Sequence, residues 1–242
     1  MPYLPADDSA RTSADTALQA VFWDMDGTIV DTEPYWIAAE RDLARSFGID
    51  WTQAQAEAMV GQALEFGASM LQQAGVAMPV RSIIDRLINQ VAEQVRGEVP
   101  WRPGARELLA ELRAAGVPCG LVTMSEPVLA QEIVRALPAG TFDVVVTGDM
   151  VDTGKPDPEP YELAFATLAG AVPGLDKGAV VAIEDSQPGA TSAQAAGLVT
   201  LGVPNFLPLP AGLLEHVWDT LAGRSVQDLQ RLLPGAVPEP AR

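Results

Sequence analysis

The chain is expected to fold as an α/β protein, a parallel sheet with helices on both faces, interrupted by an inserted all-helical block. Three observations carry this expectation. Short apolar runs bounded by turn residues recur at 18–23, 119–122, 144–146, 179–183 and 198–203, and read as buried strands. From Pro103 onward these runs alternate with helical segments, which implies parallel strands joined by crossover helices. Residues 34–99, by contrast, contain no convincing strand.

The elements follow in order. Leu18 to Trp23 is the first strand, and Asp24-Met25-Asp26-Gly27-Thr28 closes it with a turn. In the helical block, Ile83, Ile84, Leu87, Ile88, Val91 and Val95 recur at helical spacing, and Gly48, Gly61 and Gly75 punctuate the rest. We read four or so helices there. A helix near Gly104 to Ala115, stopped by Gly116, leads to a strand ending at Thr123. A helix near Pro127 to Leu137 leads to the strand before Thr147, and one near Pro158 to Ala169 precedes the strand ending at Ile183. Pro188 to Ala196 is helical, and Leu198 to Val203 is the last strand.

Composition narrows the function. The net charge is −17, and the only lysines are Lys155 and Lys177. Such a surface repels nucleic acid and anionic membranes, so neither is an expected partner. An anionic small molecule would need a local positive centre in this field, which gives Lys155 and a bound cation added weight. No apolar stretch approaches the ~20 residues needed to span a bilayer. The first twenty residues carry Asp7, Asp8 and Asp15 and lack a secretory pattern, and the single Cys119 excludes an internal disulfide. These features predict a cytoplasmic protein with mobile tails at 1–16 and 234–242.

Several strand-like runs deliver reactive groups near one end. Asp24 and Asp26 follow the first, Thr123 ends the second, and Lys155 stands in Gly154-Lys155-Pro156-Asp157-Pro158 after the third. Glu184 and Asp185 end the fourth. Ligands bind at the carboxyl ends of strands in open α/β sheets. Carboxylates crowded there repel one another unless a cation neutralises them, and oxygen ligands suit magnesium. Taken singly, each has a plain alternative: an Asp-Gly turn, a turn lysine, or an Asp185-Ser186 helix cap before Pro188.

Asp-x-Asp, a Thr, a Lys and a closing acidic pair, in this order, resemble the four motifs of the haloacid dehalogenase superfamily. The resemblance covers roughly residues 18 to 215. It implies a Rossmann-like catalytic core over 17–33 and 103–233 and a mobile helical cap over 34–102. The hinges would fall near Thr32 to Pro34 and Val99 to Pro103, although a rigidly packed subdomain would read the same way. The resemblance further implies Asp24 as nucleophile, forming an aspartyl-phosphate that water cleaves, and Asp26 as general acid and base. Thr123 and the amides around Met124 and Ser125 would bind phosphate, with Lys155 pairing to both phosphate and Asp24. Magnesium would be held by Asp24, the Asp26 carbonyl and Asp185, with Glu184 as a direct or water-mediated ligand.

Cap placement is closest to the β-phosphoglucomutase-like branch, which includes sugar-phosphate and phosphoglycolate phosphatases. Asp26 argues against halide displacement, which needs no proton donor. Phosphonate cleavage needs a cap lysine for a Schiff base, and residues 34–102 contain none. Mutases of the branch carry a hinge histidine where this chain has Trp36, and a cap arginine where Gly61-Gln62-Ala63-Leu64 places Leu64. Hydrolysis of a small phosphomonoester is therefore favoured, with Trp36 and Leu64 touching the leaving group and a selecting loop near Gly61 to Phe66. A phosphomutase and a catalytically idle binding protein are the alternatives. A monomer or weak homodimer is the expected assembly.

Overall fold

The computed structural model describes residues 17–60 and 63–235. The tail assigned to residues 1–16, most of the C-terminal tail, and Gly61-Gln62 of the selecting loop lie outside the described residues. In chain order the elements begin with β1 (Ala20–Trp23), α1 (Glu33–Ser46), α2 (Gln53–Glu57), α3 (Leu64–Gln73) and α4 (Val80–Gly97). There follow α5 (Ala105–Ala114), β2 (Cys119–Val122), α6 (Pro127–Ala136), β3 (Val144–Val146) and α7 (Glu159–Ala171). The chain closes with β4 (Val180–Glu184), α8 (Gln187–Ala195), β5 (Val199–Gly202), β6 (His216–Val217) and α9 (Val226–Gln230).

The sheet order is β3-β2-β1-β4-β5-β6, and every pair is parallel. Strand order therefore reverses at β1, the position where a doubly wound sheet opens a crevice at its carboxyl edge. Register aligns that edge: Trp23 pairs with Leu121 on one side and with Ile183 on the other. The residues immediately beyond are thereby brought level, and these are the motif residues.

Alternation along β1 explains the two layers. Ala20 and Phe22 join a cluster with Tyr161, Ala164 and Leu168 of α7 and Ala193 of α8. Val21 and Trp23 face the other way, toward Leu108, Leu109 and Leu112 of α5, Ile133 of α6 and Leu229 of α9. Every residue of β1, β2 and β4 is buried, as expected of a parallel sheet covered on both faces. The helices of the inserted block, α1 to α4, bury Leu43, Leu71, Ile83, Leu87 and Val91 in the same cluster as α5 and α6. No helix is long and apolar enough to cross a membrane among the described residues.

One expectation is corrected. β5 is not the last strand, because β6 adds an edge after it. It pairs over Leu201–His216 and Gly202–Val217 only, inside a Pro- and Gly-rich loop with no alternation to betray it. α9 is an element for which the sequence reading made no assignment. It is set by a reciprocal capping box in which Ser225 and Asp228 satisfy each other's backbone amides.

The two segments joining the helical block to the sheet pair with each other. Asp31 N donates to Pro100 O at 2.8 Å, and Arg102 N donates to Ile29 O at 2.9 Å. Asn205, beyond β5, donates from Nδ2 to Asp31 Oδ1 at 3.0 Å and accepts from Arg102. Both connections are thus anchored to one loop.

Candidate active site

The site is built at the carboxyl ends of β1, β2 and β4. Asp24 follows β1 directly, and its N–H still donates to Ile183 O of β4, so the strand continues to hold it. The chain then turns at Gly27, whose φ of 87° suits glycine. A Cβ at Gly27 would also overlap the Asp185 carboxyl, so this turn needs glycine for space as well as for conformation. On β4, the Glu184 carboxyl lies against the Gly189 backbone in the same manner. Ser186 caps α8 by accepting from Gly189 N at 3.2 Å. The cap of that helix is therefore Ser186, which leaves the Asp185 carboxylate free of capping duty.

Lys155 reaches the sheet edge from the loop after β3. Its ammonium lies 2.7 Å from Asp24 Oδ1, 2.6 Å from Glu184 Oε1 and 2.9 Å from Val122 O. Burial alone would lower its pKa, but Asp24 and Glu184 outweigh burial and raise it, so it stays charged. Asp24 Oδ2 is buried and has no hydrogen-bond partner among the described residues. One oxygen of this carboxylate is thus fixed by a cation while the other is bare.

Asp24, Glu184 and Asp185 each place an oxygen within 4.8 Å of the others. Burial, then the charges of Asp24 and Glu184, push Asp185 up to about 9. Burial likewise pushes Glu184 up to about 7, against the pull of Lys155. Carboxylates this crowded disfavour shared negative charge, and a divalent cation with oxygen ligands would reverse that. The bare Asp24 oxygen and the all-oxygen donor set fit magnesium.

Asp26 occupies a different environment. Thr32 donates to its Oδ1 at 2.5 Å, and Ser125 donates to its Oδ2 at 2.7 Å, with Thr123 Oγ1 at 3.5 Å. Burial raises its pKa, opposed by those hydroxyls and reinforced by the charge of Asp24. Thr123 Oγ1 accepts from Ser125 N at 3.0 Å, which closes the loop after β2. The Met124 carbonyl packs so near Gly148 that a Cβ there would overlap it.

The structure therefore brings Asp24, Asp26, Thr123, Ser125, Lys155, Glu184 and Asp185 together, with Met124 in the loop between them. Trp36 on α1 and Leu64 at the start of α3 are half-buried and pack against the main hydrophobic cluster. No hydrogen bond ties Trp36 to the motif residues among those described. Three residues near the site escaped the sequence reading. Thr32, six residues beyond Asp26, comes back to it only because the turn at Gly27 folds the chain. Glu33, beside it, is pushed up to about 7 by burial and by Asp26 and Asp31. Tyr161 looks like an ordinary core aromatic in sequence.

Comparison with known proteins agrees with this geometry. The haloacid dehalogenase-like hydrolase profile matches residues 21–203. A phosphorylated carbohydrates phosphatase of Thermotoga maritima is 33% identical over 204 residues, covering 82% of this chain and 91% of that protein. An N-acetylmuramic acid 6-phosphate phosphatase of Pseudomonas aeruginosa is 34% identical, covering 77% of this chain and 81% of its own. The crystal structure of CbbY from Rhodobacter sphaeroides with xylulose-1,5-bisphosphate superposes with a TM-score of 0.76 at 25% identity, covering 88% of this chain and 99% of that one. The chain belongs to the haloacid dehalogenase-like hydrolase family, in its phosphoglucomutase and phosphatase branch. Within that family it is a phosphoric monoester hydrolase.

Proposed function

We propose that this enzyme is a magnesium-dependent phosphatase that hydrolyses a small phosphorylated sugar or phosphoglycolate-like ester through an aspartyl-phosphate on Asp24. The observation that carries the reading is the Asp24 carboxylate, with Oδ1 held by Lys155 and Oδ2 buried and bare. The names of its relatives, which describe phosphatases of phosphorylated carbohydrates, support the substrate class.

Asp24 attacks phosphorus, and the P–O ester bond breaks as the aspartyl-phosphate forms. Asp26, whose pKa burial raises against the pull of the Thr32 and Ser125 hydroxyls, delivers a proton to the departing alkoxide. It then takes a proton from water as that water cleaves the acyl phosphate, regenerating Asp24 and releasing phosphate. Thr123 and the Met124 and Ser125 amides receive phosphate oxygens, and Lys155 spreads its charge over phosphate and Asp24. Asp24, Asp185, the Asp26 carbonyl and Glu184 would hold magnesium, which would supply charge neutralisation to the phosphate.

Residues 34–102 act as a cap over a core of 17–33 and 103–233, hinged at the paired segments around Thr32 and Trp101. Trp36 and Leu64 belong to the cap's leaving-group surface, and neither supplies the charge a mutase would need to retain a second phosphate. The test is hydrolysis of a generic aryl phosphate with magnesium. Asp24→Asn should fall to background, and Asp26→Asn should lose about 10²–10⁴-fold, the usual share of proton transfer. Near wild-type turnover by Asp24→Asn would overturn the assignment. Isomerised hexose phosphate with little free phosphate would favour the mutase.

A further inference from the structure

Tyr161 is wholly buried in the first turn of α7, its ring 6.5 Å from that of Phe22 and tilted by 33°. Phenylalanine would serve that packing equally well. The hydroxyl, however, donates to Glu184 Oε1 at 2.5 Å, and this same oxygen lies 2.6 Å from Lys155 Nζ. The ring also lies under the ammonium, with Nζ 5.2 Å from its centroid.

An ammonium has three protons to donate. Here they are taken by Asp24 Oδ1 at 2.7 Å, Val122 O at 2.9 Å and Glu184 Oε1. Lys155 can reach a substrate phosphate only by releasing one of these partners. If it released Glu184, the Oε1 of a fully buried carboxylate would lose its ammonium partner, and weakening the compensation of a buried charge is unfavourable. A second donor on the same oxygen removes much of that obstacle. Burial and the neighbouring carboxylates hold the phenol well above its ordinary value, so it remains a donor.

We propose that Tyr161 is a positioning residue whose hydroxyl keeps Glu184 hydrogen-bonded while Lys155 turns from Glu184 to the substrate phosphate. The inference rests on the phosphatase reading above, and extends it to a residue that touches neither substrate nor metal. It also divides Glu184 between two duties, holding the lysine and facing the carboxylates of Asp24 and Asp185.

The test is Tyr161→Phe, which keeps the ring and removes only the hydroxyl. With aryl phosphate and saturating magnesium, kcat/KM should fall about tenfold and the inhibition constant for inorganic phosphate should rise about tenfold, the scale of one hydrogen bond to a charged group. Both values are taken per folded molecule, read by circular dichroism, so a loss of folded protein cannot imitate the effect. In a Glu184→Gln background, where the side chain carries no charge, the same substitution should cost less than about twofold, since coupled residues are non-additive. Tyr161→Phe within twofold of wild type in both constants would overturn the proposal. So would an equal tenfold loss in both backgrounds. A wild-type chain without aryl phosphatase activity would overturn the phosphatase reading itself, before any substitution at Tyr161 is made.

Discussion

Glu40 carries a carboxylate into the helical block, where it is 5% exposed and accepts a hydrogen bond from the Trp51 indole at 3.4 Å. Burial pushes its pKa from 4.5 up to about 7, with the Trp51 bond pulling the other way. Between those two values the folded chain holds a proton that the unfolded chain has lost. Stability from this group is therefore fullest below about pH 4.5 and declines as pH rises through about 7, by on the order of 3 kcal/mol. Glu40→Gln should melt above wild type at pH 8 and show no such advantage at pH 4.5. Thermal denaturation at the two pH values checks this, and equal melting points at pH 8 would show that the carboxylate finds other partners. At this scale Asp24, Lys155 and the acidic pair were legible because motif chemistry needs those residue types at strand ends. Thr32, Glu33 and Tyr161 were not, since each is brought near the site by a neighbour distant in sequence or by a turn whose path is not written in residue types.

Among the elements, α4 and α6 form the seam where the helical block meets the sheet domain. Arg81 at the start of α4 makes a two-pronged pair with Glu126, at 2.6 and 2.9 Å, and Glu126 immediately precedes α6. Farther along, Arg96 lies 3.1 Å from Glu132, which also pairs with Arg135. Glu126 is the residue after Ser125, so the seam joins the block to the loop that follows β2. The arginines of these pairs are exposed while Glu126 and Glu132 are partly buried, and salt screens charges that reach solvent over about 3 Å at 1 M against about 10 Å at 0.1 M. If they hold the block over the site, KM for aryl phosphate should rise with salt in the wild type. Arg81→Ala should begin with a higher KM at low salt and respond less to added salt. A variant whose KM and salt response match wild type would show that the seam pair does not govern access. The strand and helix alternation of 103–203 was legible from apolar runs and glycine stops, whereas β6 was not, because two residues of edge pairing leave no periodic signal.

The whole molecule carries a net charge of −17, and its candidate site itself concentrates carboxylates. Like charges held close destabilise the folded state, and a cation that binds only that state offsets them by mass action. Magnesium should therefore raise the melting temperature of chelator-treated protein. A gain of about 2.7 kcal/mol at a hundredfold excess over Kd corresponds to roughly 5–10 °C for a chain of this size. Asp185→Asn should lose most of that shift while melting no lower than wild type without metal, because a crowded carboxylate has been neutralised. A full magnesium shift in Asp185→Asn would remove Asp185 from the metal site. By itself the sequence determined the fold class, the helical insertion, the family and the motif residues, because hydrophobic periodicity and residue chemistry are local properties of the chain. Only the tertiary structure decided which oxygen of Asp24 stays bare, that Ser186 rather than Asp185 caps α8, and that Tyr161 shares Glu184 with Lys155. Those outcomes depend on strand register and side-chain direction, which bring together residues as far apart as Asp24 and Glu184 and which no local pattern encodes.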